Sequence, residues 1–271
     1  MIFNRLEIIT LVDNYPYDKR TTSEFGYSLL ISYKNHQILF NTGYSNIFLK
    51  NAKKLACDLN NVTEIIISHK HKSHSGGLPH LLRILKDEST FIIDNNYFEE
   101  YQNNNNYNNK GNIKTNNMIK KYFKKHNVTY IKSGSTYYKD DIYFFLPNDR
   151  SEKNYAPSKF NIRNAMAMVI DTRKGLFLFF GAAHSRLSMI LDWIEKRFPN
   201  RKIEMAFGGI NVNFDRERDM EILSNSLERV HIKHFELSHC SDKKVFEYLK
   251  NYVDNVYFNG TGKILTFHDV N

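Results

Sequence analysis

Three histidines fall within six residues of this chain, in the run Ile65-Ile66-Ile67-Ser68-His69-Lys70-His71-Lys72-Ser73-His74-Ser75-Gly76-Gly77-Leu78. Neutral imidazoles that converge on one point are good ligands for Zn²⁺ and similar ions. In an extended stretch, residues two apart point to the same side, so His69 and His71 face one pocket. His74 follows where the chain turns toward a helix and can reach that pocket from another angle. Gly76-Gly77 permits a tight turn beside it. The plainer alternative is a polar loop with incidental histidines. The whole chain of 271 residues has only 11, so three in six argues against it.

The elements that must position this run alternate along the chain. Gly26–Tyr33 and Gln37–Asn41 predict paired strands around a turn. The stretch 46–57 has helical spacing through Ile47, Leu49, Ala52 and Leu55. Glu64–Ser68 is a short, continuously apolar strand of the kind buried on both faces. A helix is expected over Gly77–Leu85 and a strand over Phe91–Ile93. In 103–117, nine of fifteen positions are asparagine, which predicts a surface loop or disordered insert. The β/α alternation resumes on both sides of it, so the expectation is one domain, 1–271. Further strands are expected at 128–131, 141–146, 165–171, 176–180, 202–206, 232–237, 255–258 and 263–267. Helices are expected at 186–197, 217–230 and 243–252. The segment 147–164 reads as a long loop near the functional site. Strand pairs beside strand–helix units in both halves suggest two sheets face to face with helices outside.

Hydrophobic residues make up 41% and charged residues 25%, as in an ordinary soluble globular chain. No apolar run approaches the roughly 20 residues needed to span a bilayer. The opening stretch carries Arg5, Glu7 and Asp13, so it reads as a strand, not a signal peptide. Two cysteines, Cys57 and Cys240, cannot supply a disulfide framework, and a cytoplasmic setting is expected. The net charge of +9 favours anionic partners. No zinc-finger, RNA-binding or arginine-rich motif accompanies it, so a small anionic molecule is expected rather than nucleic acid.

The histidine run, followed by Gly-Gly-Leu, resembles the metallo-β-lactamase superfamily, whose signature is His-x-His-x-Asp-His. The resemblance is nearest to the branch that includes dihydropterin ribofuranosyl-aminobenzene phosphate synthases. Other stretches follow in order over nearly the whole chain. Leu11-Val12-Asp13-Asn14 opens it, and Glu24-Phe25-Gly26-Tyr27-Ser28-Leu29 resembles the branch's Glu-His-Gly-x-Ser-Leu. Phe40-Asn41-Thr42-Gly43 resembles Phe-Asp-Thr-Gly, and Gly181-Ala182-Ala183-His184 resembles Gly-Cys-Ser-His. Gly208-Gly209-Ile210-Asn211 resembles Gly-Gly-Phe-His, and Ser238-His239-Cys240-Ser241 contains a His-Cys-Thr-like stretch. The resemblance implies a four-layer αββα sandwich of the α+β class, with a metal site at one sheet edge. It implies His69, His71, His74, His184 and His239 as metal ligands, with His74 and His239 also available for proton transfer.

The departures remove charge. Ser73 stands for the signature Asp, Asn41 for the Asp of Asp-Thr-Gly, Ala182 for Cys, Asn211 for His and Phe25 for His. Two close divalent ions repel strongly unless carboxylates screen them. No matched carboxylate remains here, while Lys70 and Lys72 flank the loop. The expectation is one divalent ion, zinc by ligand type, or none. Two functions stay open: an atypical metal-dependent hydrolase with a mononuclear site acting on an anionic small molecule, or a catalytically degenerate relative serving as a binding or partner protein. His80, His126, His231, His234 and His268 match no ligand position. Cys240 reads as a small buried residue.

Overall fold

The computed structural model describes residues 5–85, 88–98, 109–124, 126–147, 165–183, 187–210, 212 and 214–270. The first half runs β1 (Arg5–Val12), β2 (Ser28–Tyr33), β3 (His36–Phe40), α1 (Ile47–Lys54), β4 (Glu64–Ile66), α2 (Lys72–Ser75), α3 (Leu78–Leu81), β5 (Thr90–Asp94), α4 (Asn109–Phe123) and β6 (Asn127–Ile131). The second runs β7 (Thr136–Lys139), β8 (Ile142–Phe145), β9 (Ala167–Thr172), β10 (Gly175–Ala182), α5 (Leu187–Arg197), β11 (Ile203–Gly209), α6 (Glu217–Arg229), β12 (Ile232–Leu237), α7 (Lys243–Leu249), β13 (Val253–Phe258) and β14 (Ile264–His268).

These strands form two seven-stranded sheets, ordered β14-β1-β2-β3-β4-β5-β6 and β13-β12-β11-β10-β9-β8-β7. In the first, β14 to β3 are antiparallel and β3 to β6 parallel. The second has the same division, parallel from β13 to β10 and antiparallel from β10 to β7.

The period-two alternation of each strand sorts its side chains between layers. Leu29, Ile31, Phe40 and Ile66 of one sheet meet Phe144, Met168, Phe177, Phe179 and Phe207 of the other in the central core. Phe179 and Phe207 stack there at 5.2 Å. The opposite faces carry Leu30, Leu39, Ile65 and Ile67, covered by α1, α3 and α4, and Leu176, Leu178, Phe180 and Phe235, covered by α5, α6 and α7. Helix α5 shows how coverage follows from spacing: Leu187, Ile190, Leu191 and Ile194 recur every three or four residues and are all buried. Because both faces of both sheets are covered, β10 is buried from end to end.

Two expectations need correction. Helix Gly77–Leu85 is shortened to the single-turn α3, followed by a turn, and a separate single turn, α2, precedes it inside the histidine run. The described part of the asparagine-rich stretch, 109–117, is helical, because it continues into a turn whose Ile119 and Phe123 are buried against Phe91 and Tyr97. Packing of that apolar stripe outweighs the weak helix propensity of asparagine. Residues 103–108 and most of the expected loop 147–164 lie outside the described residues.

Candidate functional site

The carboxyl ends of β3, β4, β10, β11 and β12 lie together at one edge of the sandwich. Asn41 follows β3, the histidine run follows β4, and His239 comes two residues after β12. Met166 N donates to Ser68 O at 2.9 Å and joins the two sheets, while Ala183 N to Gly209 O at 2.8 Å and Ser238 N to Gly208 O at 3.0 Å tie neighbouring strand ends of the second sheet. Thr42 N donates to His74 O at 2.8 Å and Tyr27 N to Ser73 O at 3.0 Å, which pins α2 against β2 and β3.

The glycines beside the run serve close approach rather than turning. Gly76 and Gly77 have φ of −65° and −76°, open to any residue. A Cβ on Gly77 would lie 2.2 Å from Thr42 O, and one on Gly76 2.1 Å from Tyr44 O. Gly181 in β10 likewise lets that strand reach Ser68, whose Oγ would stand 2.2 Å from an added Cβ.

Four of the five expected histidines come together. Ring centroids are 4.1 Å apart for His69 and His74, 4.7 Å for His74 and His239, 6.2 Å for His69 and His71, and 6.4 Å for His71 and His74. His74 thus sits between His69 and His239. His184 lies outside the described residues, as does Asn211. His69, His74 and His239 are buried and His71 half-buried.

Each ring has one nitrogen engaged by a neutral side chain. Ser68 Oγ is 3.1 Å from His69 Nδ1, and Ser73 Oγ lies between His71 Nδ1 at 2.7 Å and His239 Nε2 at 3.3 Å. Asn41 Nδ2 is 3.0 Å from His74 Nδ1. Burial holds the His71 ring below the usual histidine range, favouring the neutral form.

Around the rings, Phe25 meets His239 edge-to-face at 5.2 Å and Tyr27 stacks on His239 at 6.2 Å. Phe25 is exposed, at the rim. Lys72 Nζ stands 4.1 Å above the Tyr44 ring, also at the rim. Cys240 packs against Gly209, and burial pushes its thiol up to about 12.

One polar group was legible only as part of a motif. Asp13, at the end of β1, is fully buried. Its carboxylate accepts from Asn14 N at 2.7 Å and Asn259 Nδ2 at 3.0 Å, and Asn14 Nδ2 donates to His239 O at 2.8 Å. Burial pushes Asp13 up to about 7. A polar pair closing an apolar strand was the available signal, but not its target.

No family model matches the chain. It is 22% identical over 289 residues to the 7,8-dihydropterin-6-methyl-4-(β-D-ribofuranosyl)-aminobenzene-5′-phosphate synthase of Methanocaldococcus jannaschii, with 97% of each chain covered. The crystal structure of Tm1679, described as a metal-dependent hydrolase of the β-lactamase superfamily, aligns with a TM-score of 0.73 at 22% identity, over 97% of this chain and 100% of that one. YhfI from Bacillus subtilis, a metallo-β-lactamase fold protein, aligns at 0.58 and 11% identity over 97% and 100%. The fold is the metallo-β-lactamase fold.

Proteins of the metallo-β-lactamase fold generally bind divalent metals, which makes the donor set here the relevant test. In chemistry it suits a borderline ion such as Zn²⁺: neutral imidazoles, each held by a second group. In number it is incomplete, since among the described residues no three His, Cys, Asp or Glu side chains are placed to hold one ion together. The place of the signature Asp is filled by Ser73, whose hydroxyl bridges two histidines instead of carrying charge.

Proposed function

We propose that this metallo-β-lactamase-fold chain is a metal-dependent hydrolase with a mononuclear histidine site, acting on an anionic small molecule. The observation that carries the reading is the gathering of four imidazoles at one sheet edge, with the neutral side chains of Asn41, Ser68 and Ser73 bonded to their rings. His69 and His71, with His184, would hold the ion, and His74 and His239 would manage protons beside it. Such an ion supplies Lewis acidity and lowers the pKa of a bound water.

The chain's own residues define the rest of the chemistry. Tyr27 and Phe25 shield the His239 ring from two directions. Lys72 at the rim and the overall charge of +9 suit an anionic substrate. A layer of neutral side chains tolerates one dication more readily than two, because such groups do not offset the repulsion between two dications.

The test is hydrolysis of small phosphorylated compounds by zinc-loaded protein, with His71→Ala and Lys72→Gln variants alongside. The reading expects turnover that His71→Ala abolishes and a KM that Lys72→Gln raises. Full zinc occupancy without turnover of any anionic substrate would instead favour a binding or partner role.

A further inference from the structure

We infer that Asn41 fixes the tautomer of His74, placing its hydrogen on Nε2, so that this ring is a hydrogen-bond donor to the pocket rather than a metal ligand through that nitrogen. The inference holds whether or not the pocket takes a metal, so it stands or falls apart from the hydrolase reading.

A backbone amide, whose N–H can only donate, fixes the orientation of the Asn41 side chain. Ser68 N donates to Asn41 Oδ1 at 2.8 Å. Asn41 is fully buried, with its own N–H donating to Ile66 O at 2.7 Å and its carbonyl accepting from Ser28 Oγ at 2.9 Å. Its side-chain amide therefore has one orientation: oxygen toward Ser68, NH₂ toward His74. That NH₂ group is a donor only. At 3.0 Å from His74 Nδ1 it needs a lone pair on that nitrogen. Any form of the ring with hydrogen on Nδ1 would set two donors face to face. Turning the amide over would do the same at Ser68 and strand a buried N–H.

A nitrogen that carries hydrogen has no lone pair for a metal. The second-layer partner that makes Nε2 a ligand must accept from Nδ1–H, as a carboxylate or carbonyl does. Asn41 does the opposite. An aspartate in the same place would accept from Ser68 N–H with one oxygen and from His74 Nδ1–H with the other. One amide-for-carboxylate exchange thus reverses the ring's polarity without moving it. The Nε2–H group is then a donor in a pocket where the His69 and His239 ring centroids lie 4.1 and 4.7 Å from that of His74. There it can donate to an anionic oxygen. Asn41 is a positioning residue that acts through His74.

Long-range proton–nitrogen correlation NMR of the imidazole rings in metal-free protein reads the tautomer directly, with the His74 signals assigned by their loss in His74→Gln. The expected wild-type pattern is an unprotonated Nδ1 and a protonated Nε2. Asn41→Asp should exchange the two and raise zinc affinity about tenfold or more. Ser73→Asp, which also adds a negative charge, should leave the His74 pattern unchanged. A wild-type His74 with hydrogen on Nδ1 would overturn the inference, even if Asn41→Asp fails to fold. A folded Asn41→Asp protein with an unchanged pattern would also overturn it.

Discussion

Asp13 shows how a single buried carboxyl sets the behaviour of the site's supporting layer. Burial raises its pKa from 3.8 to about 7, against the lowering effect of its bonds from Asn14 and Asn259. A raised acid binds more protons in the folded than in the unfolded chain across that interval. Its contribution to stability therefore falls as pH rises from about 4 to about 7, and is level above. Asp13→Asn should remove this slope, which thermal melts of both proteins across pH 4 to 9 would show; parallel curves would refute it. Residue-level legibility stopped at such groups. The types and spacing of His69, His71 and His74 announce themselves. That Ser73 reaches His239, and that Asn41 faces His74, depends on contacts 166 and 33 positions apart in sequence.

At the scale of elements, the two ends of β3 and β4 have different tasks. Their carboxyl ends carry Asn41 and the histidine run. Their amino ends carry a charged cluster: His36 Nδ1 lies 3.0 Å from Glu64 and its Nε2 3.0 Å from Asp140, while Lys139 reaches Glu64 at 3.2 Å. Lys139 and Asp140 belong to the β7–β8 hairpin, so the cluster ties one sheet to the other. The bond to Glu64 is the main reason the His36 pKa is raised. Burial alone would raise Glu64, but bonds from His36, Thr63 and Lys139 outweigh it and hold the carboxyl below its ordinary range.

The signs differ for the two partners. The His36 contribution is complete below its ordinary value near 6.5 and is lost as pH rises through the raised one. The Glu64 contribution is complete above 4.5 and is lost as pH falls through the lowered one. His36→Gln should therefore cost roughly 2–4 kcal/mol near pH 6 and less near pH 9, by denaturant titration. Equal losses at both would show that His36 acts by shape alone. Strand and helix types were readable from periodicity; the miss at 109–117 came where an apolar stripe farther along the helix overrode local preference.

For the molecule as a whole, each sheet joins an antiparallel half to a parallel half, and the two sheets share one aromatic core. Phe179→Ala would open a cavity in the layer that binds the sheets together and should cost roughly 3–5 kcal/mol. A loss below about 1 kcal/mol would show that the core refills the space. The four-layer plan was legible because continuously apolar strands must be covered on both faces. The mirrored strand order was not, since it leaves no repeat in the sequence.

The proposed function rests on a pocket that neutral side chains would suit to one ion rather than two. Elemental analysis of untagged protein, equilibrated with excess zinc and then freed of loosely held metal, tests it most directly. The prediction is one zinc per chain, lost when His71 is replaced by alanine. Two tightly held ions per chain would contradict the charge argument, and none would contradict the metal-dependent reading.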